Sequence, residues 1–236
     1  DTATSEIYTL SLHAALPIFG ATRGDVLAGA IGGLVSSTGT TVAFARRSRT
    51  EGAVLTLAAG AISAGAVSLL RTAFLVATLA ASLLPALLWP LLSAATVLGG
   101  YALLLARRRQ PVGGPAEPGN PFELVAVAKM AALLAFVAFL ARAATQEFGG
   151  AGLILASALS ALADVDAATV TVVGLLPKLD ASLASEAIGV AVACNMAAKA
   201  LYAALFGSLR FFLHLSAASA LSIGAGLAAW GIGAAL

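Results

Sequence analysis

Long apolar spans dominate this sequence, and they constrain its fold more than any other feature. A transmembrane helix needs about 20 consecutive, mainly apolar residues. Apolar residues make up 60% of the chain and charged residues only 10%, whereas soluble domains carry ~25% charged residues. The sequence therefore predicts an all-α, polytopic membrane helix bundle of about seven transmembrane helices. The predicted spans are Gly24–Ala45, Ala53–Leu79, Leu83–Ala106, Pro121–Gln146, Gly149–Leu176, Ser185–Phe206 and Phe211–Leu236.

Basic residues between the spans predict how the chain is oriented. Arg46, Arg47 and Arg49 follow the first span, and Arg107–Arg109 follow the third, so the two clusters lie on one side of the membrane. Lys178 lies on that side too if every span crosses. Because Lys and Arg concentrate in cytoplasmic loops, this side is predicted to be the cytoplasm. The N-terminus of the chain is then outside and the C-terminus is cytoplasmic.

Charge, cysteine content and motifs argue against several classes of function. The 13 basic and 11 acidic residues nearly cancel, so no nucleic-acid partner is expected. Cys194 is the only cysteine, which excludes an intrachain disulfide and a cluster of thiolate ligands. The sequence contains no HExxH motif and no paired nucleophile and base, so we expect neither an enzyme nor a cofactor.

Two stretches differ from the apolar spans. Residues 1–18 have no initiating Met and no helical periodicity, and SEIYTLSLHAALPI resembles a translated sequencing adapter. We interpret residues 1–18 as a non-native or disordered tail on a fragment whose natural start lies further upstream. Residues 110–120 contain three prolines and three glycines and are predicted to form a cytoplasmic linker.

The first and fifth spans resemble each other at a constant offset of 128 positions. Leu27-Ala28 corresponds to Leu155-Ala156, and Arg71 corresponds to Lys199. The fourth span, shifted back by 128, falls on the N-terminal tail. We therefore predict two units, residues 19–109 with three helices and residues 121–236 with four. A unit of four crossing helices gives a parallel repeat, in which truncation has removed the first helix of the first unit.

Two carboxylates, Asp164 and Asp166, lie in the middle of the fifth span. Each ionised side chain at membrane depth costs at least ~2.5–3.5 kcal/mol on insertion scales, and such residues often mark function. Side chains two positions apart point to nearly opposite faces of a regular helix. Either one carboxylate faces lipid or the helix is interrupted, which is tolerated only against protein or a water-filled cavity.

The carboxylates have two interpretations. As a functional site, their oxygens combine with other polar groups to bind a proton or a cation, whose identity the sequence leaves open. As a structural pair, one aspartate neutralises Lys199 and holds two helices together. The other groups of the functional site are the hydroxyls of Ser36, Ser37, Thr38 and Thr40 and the amide of Asn195.

Two cations within the spans complicate a simple cation site. Lys199 and Arg71 supply positive charge of their own, and Asn195 shares a helix face with Lys199 because four residues separate them. Balanced acids and bases suit a proton-coupled carrier, an anion site or a structural ion pair. We expect an aspartate to lie near Lys199 and Arg71 to approach Ser36–Thr38, so that all these charges form one polar centre.

Several motifs resemble a known family. GGLVSSTGTTVAFARRSR (Gly32–Arg49), NPFEL (Asn120–Leu124), LADVDAAT (Leu162–Thr169) and the pair Asn195 and Lys199 are similar to the membrane domain of unknown function found in bacterial MgtC/SapB family proteins. The similarity extends over nearly the whole chain after the N-terminal tail. The resemblance implies a bacterial inner-membrane protein, and it leaves the activity open.

The sequence supports one leading hypothesis and one rival. In the first, a multi-pass protein moves a small ion, coupled to protons, through a site at the level of Asp164 and Lys199. In the second, an MgtC-like regulatory or assembly protein binds another membrane complex and transports nothing. Besides the lipid bilayer, the partners considered are a small cation or proton, a second copy of the chain and another membrane protein.

Overall fold

The computed structural model describes residues 21–50, 52–108, 149–176 and 179–235, and nearly all of them are helical. The tail 1–18, the linker 110–120, the fourth span Pro121–Gln146 and Lys178 lie outside these residues. The predictions about these segments, including the missing helix, stay predictions.

Seven α-helices and one short 3₁₀ helix make up the described residues. They are α1 (Ala21–Thr50), α2 (Val54–Leu79), the 3₁₀ helix (Ala81–Leu83), α3 (Leu84–Arg107), α4 (Gly149–Ala163), α5 (Val165–Gly174), α6 (Ala181–Phe206) and α7 (Leu209–Ala235). By length and composition, α1, α2, α3, α6 and α7 could each cross a membrane. The prediction of an all-α, multi-pass membrane protein is confirmed.

Helix α1 folds back on itself at Ser36, whose φ of −158° and ψ of 104° are not helical. The Asp25 carboxylate lies 3.6 Å from the Arg47 guanidinium, although 22 residues of straight helix would separate them by about 33 Å. A Cβ on Gly32 would lie 2.5 Å from the Thr40 hydroxyl oxygen, which also requires two adjacent arms. The first span is therefore a helical hairpin, with residues 21–35 and 37–50 as its two arms.

Small residues bring the first arm of α1 against α2. A Cβ on Gly29 would overlap the Gly60 carbonyl, and one on Gly33 would lie 2.7 Å from the Ala64 Cα. In lipid, where apolar burial gives little drive for helix association, such close backbone approach is a main source of packing energy. The glycines of the first span thus fix the hairpin to its neighbour.

The fifth span is interrupted, which is one of the two alternatives that its two carboxylates predict. Asp164 separates α4 from α5 with an extended backbone (φ −153°, ψ 113°), and its side chain accepts a hydrogen bond from the Asp166 N–H at 2.9 Å. Ser36 plays the same part in α1, where its hydroxyl oxygen accepts from the Gly39 N–H at 3.1 Å. Both side chains satisfy N–H groups that a helix start leaves without partners.

Contacts between helix ends define the direction of each helix. The Arg49 guanidinium donates to the Gly207 carbonyl oxygen at 3.1 Å, and the Ser208 N–H donates to the Ser48 hydroxyl at 2.9 Å. Helix α6 therefore ends where α1 ends and α2 begins. Since α2 leaves this end and α6 arrives at it, the two helices run in opposite directions.

Helices α3 and α7 are antiparallel as well. The Tyr101 hydroxyl lies 3.0 Å from His214 Nδ1, and the Ser222 hydroxyl donates to the Ala94 carbonyl oxygen at 3.1 Å. At an offset of 128, α2 corresponds to α6 and α3 to α7, so corresponding helices run in opposite directions. These directions differ from the predicted parallel orientation, because the chain leaves α3 at one end of the bundle and enters α6 at the other, whereas two crossing spans between them would return it to the first end.

The arginine clusters share one end of the bundle, which we call the basic end. Helix α1 finishes there with Arg46, Arg47 and Arg49, and α3 finishes there with Arg107. Helix α7 starts at this end and runs for 27 residues to the opposite end, where Trp230 packs against Gly189 near the start of α6. If the basic end is cytoplasmic, the C-terminus cannot be cytoplasmic too, contrary to the prediction.

Candidate functional site

Arg71 on α2 connects the two helix breaks. Its guanidinium donates to the Gly33 carbonyl oxygen at 3.2 Å and to that of Leu34 at 2.5 Å, both in the last turn before the break in α1. It also forms an ion pair with Asp166 in the first turn of α5. A cation at the C-terminal end of one helix segment and an anion at the N-terminal start of another both match the helix dipoles.

Asp166 is held by a second group that the sequence did not single out. The Thr72 hydroxyl donates to Asp166 Oδ1 at 3.2 Å, and the Asp166 side chain is only 15% exposed. Thr72 directly follows Arg71 in the sequence, and only the fold places both against the same carboxylate. The Arg71–Asp166 pair is thus largely removed from solvent and hydrogen-bonded on both sides.

Lys199 lies near this pair and, in the part of the chain that the structure describes, forms no ion pair. It is 2% exposed, and among the described residues its ammonium makes no hydrogen bond. It lies near enough to Asp166, Arg71 and Asp164 for their charges to act on it. The expected ion pair between Lys199 and an aspartate is absent in the described part of the chain, because Asp166 pairs with Arg71.

The break between α4 and α5 has its own polar partners. The Asn195 side-chain NH₂ donates to the Ala161 carbonyl oxygen at 2.7 Å, and the Tyr202 hydroxyl donates to that of Leu162 at 3.1 Å. These carbonyls correspond at the offset of 128 to the two bound by Arg71. Tyr202 could have been found in the sequence, because it lies seven positions, or two helical turns, after Asn195 and therefore on the same helix face.

The hydroxyls of the first span do not combine with the carboxylates in the predicted way. Ser36 is exposed and caps the second arm of α1, while Ser37 and Thr38 are buried. No hydrogen bond in the described residues joins any of the three to Asp164 or Asp166. The residues that do converge, which we call the charged centre, are Arg71, Asp164, Asp166, Asn195 and Lys199.

The charged centre opens to one side. Asp164 is exposed, and together with Asp166, Arg71 and Val35 it lines a wide depression between α1, α2 and α5. Within the described residues, no group of three or more His, Cys, Asp or Glu side chains could hold a metal ion. The donors that converge here are cations and amides, which are suited to anions and carbonyl oxygens.

Comparison with protein families places this geometry in a known group of proteins. A family described as "Domain of unknown function (DUF4010)" matches residues 9–207. The chain belongs to this family. The DUF4010 match includes both helix breaks and the whole charged centre, and it begins inside the stretch 1–18 that we interpret as a tail. No curated protein and no solved structure matches the chain.

Proposed function

We propose that this DUF4010 protein carries a small ion, coupled to protons, across a bacterial inner membrane, with the charged centre as its site. The observation that carries the proposal is the position of Arg71, which binds the carbonyls at one helix break and the carboxylate at the other. Charges at membrane depth are costly, and they are found mainly along the paths of ions and substrates.

The arrangement of the helices supports the same proposal. Many secondary transporters consist of two inverted repeats, and their sites lie near the middle of the membrane between interrupted helices. In this chain the interruptions fall at Ser36 and Asp164, 128 residues apart, and the corresponding helices run in opposite directions. We propose that the two units form an inverted repeat around the charged centre, in place of the parallel repeat.

The rival proposal is an MgtC-like regulatory or assembly protein that binds another membrane complex and transports nothing. Ion flux separates the two. The full chain is reconstituted in liposomes, and uptake of ²²Na⁺, ⁸⁶Rb⁺ and ³⁶Cl⁻ is measured together with internal pH. Empty liposomes give the background. If uptake by the wild-type protein equals that background for all three ions and protons, the transport proposal fails.

The variant Asp166→Asn tests whether the charged centre is on the path. The substitution keeps a side chain that can bond to Thr72 and removes the charge that pairs with Arg71. A hydrogen bond to a charged group contributes ~1.5–3 kcal/mol, so flux should fall by roughly 10- to 150-fold if the pair forms in the transport step. Thr78→Val, on an exposed part of α2 away from the charged centre, is the control and should leave flux unchanged.

A further inference from the structure

Lys199 occupies the position in the second unit that Arg71 occupies in the first. Arg71 has an anion, because Asp166 lies two residues after the break in the opposite unit. The residue two positions after the break in α1 is Thr38, which carries no charge. The second half of the charged centre therefore has its cation and lacks the carboxylate that would correspond to Asp166.

Packing between α1 and α6 places Thr38 at the level of Lys199. Val42 on the second arm of α1 clusters with Ala198 and Tyr202 on α6, and one turn later the Arg46 guanidinium lies 5.4 Å from the centre of the Phe206 ring. The arm and α6 thus run side by side in the same direction. One turn before Val42 is Thr38, and it therefore lies opposite the turn that contains Lys199.

Burial makes the missing charge significant. Thr38 is 4% exposed and Lys199 is 2% exposed, so neither group is hydrated like a surface residue. The nearby Arg71–Asp166 pair is neutral as a unit, and the remaining carboxylate of the charged centre, Asp164, is exposed and accepts a hydrogen bond from the Asp166 N–H, so among the described residues neither forms an ion pair with the buried ammonium. A buried ammonium with no partner is unfavourable in a protein interior, and an anion beside it removes this penalty.

We infer that a small monovalent anion, such as chloride, binds between the Lys199 ammonium and the start of the second arm of α1 at Thr38. The ammonium supplies the charge, and the Thr38 hydroxyl supplies a hydrogen-bond donor. The helix start adds its positive dipole end, a common feature of anion sites. The inference rests on the proposed function, because it names the class of ion that the charged centre would carry.

Two variants of the full chain test the site, one by removing the cation and the other by supplying a fixed anion. Lys199→Met removes the charge and keeps a long side chain. Thr38→Asp places a carboxylate where the anion would bind, so the protein supplies its own counter-ion. Binding is followed through the line width of the ³⁵Cl⁻ resonance on adding purified protein, with the exposed-site variant Thr78→Val as the control.

The wild-type protein and Thr78→Val should broaden the ³⁵Cl⁻ resonance to the same extent. Both Lys199→Met and Thr38→Asp should reduce the broadening to that of protein-free detergent. Thr38→Asp should also unfold at a temperature that no longer depends on replacing chloride with gluconate, and this second readout keeps the test decisive if Lys199→Met does not fold. Equal broadening in the wild-type protein and Thr38→Asp would overturn the inference.

Failure of this inference can be told apart from failure of the proposed function. Chloride binding that depends on Lys199, without flux of any ion in liposomes, would retain the anion site and reject transport. Flux of Na⁺, Rb⁺ or protons without chloride binding would retain transport and reject the anion site.

Discussion

Removing Arg71 from its ion pair with Asp166 should destabilise the fold more than removing the charge of Asp166. Arg71→Met breaks the pair, leaves Asp166 without its cation and also frees the carbonyls of Gly33 and Leu34. Removing one partner of a buried pair typically costs ~3–5 kcal/mol. Asp166→Asn leaves Arg71 bound to both carbonyls and leaves Thr72 a side chain to bond to, so it should cost only ~1.5–3 kcal/mol, the contribution of one charge-assisted bond.

Thermal unfolding in detergent, followed by circular dichroism, measures the difference. For a chain of this size 1 kcal/mol corresponds to roughly 2–4 °C, so Arg71→Met should unfold roughly 6–20 °C below the wild-type protein. The double variant should lose less than the sum of the single losses, because the two groups are in contact. A loss for Asp166→Asn equal to or larger than that for Arg71→Met, or simple additivity, would refute this assignment of partners.

Two further predictions concern packing and topology. Gly29→Val should destabilise the bundle by more than ~3 kcal/mol in the same assay, because its Cβ would overlap the Gly60 carbonyl. Gly99→Ala, whose Cβ would meet nothing within 4 Å, should stabilise it by ~0.5–1 kcal/mol, and a similar loss for both variants would contradict the packing of α1 on α2. In a cysteine-free background, cysteines replacing Arg108 and Gly233 should react with an impermeant reagent from opposite sides of the membrane. Labelling of both from one side would mean that α7 does not run from the basic end to the opposite end.

The sequence by itself determined the class of fold and identified the place in the fifth span where a regular helix would be costly. Apolar spans of sufficient length determine a membrane protein, because hydrocarbon accepts only segments whose backbone groups bond internally. The sequence also limited Asp164 and Asp166 to two alternatives, a carboxylate facing lipid or a break in the helix, since two carboxylates two positions apart cannot share one protected face of a regular helix. Both conclusions rest on the free energy of placing a polar backbone group or a charged side chain in hydrocarbon. This free energy does not depend on how the helices are arranged.

Tertiary structure decided the direction of the chain and the pairing of its charges. A straight helix and a hairpin such as α1 carry the same apolar residues, so hydropathy could not show that the first span returns to the basic end. Nor could hydropathy show that the chain enters α6 at the end of the bundle opposite to the one where it leaves α3, which reverses the directions of α6 and α7 relative to the prediction. Asp166 pairs with Arg71 because α5 lies against α2, and among the described residues Lys199 then has no ion pair. Such contacts between distant segments depend on packing that no local pattern contains.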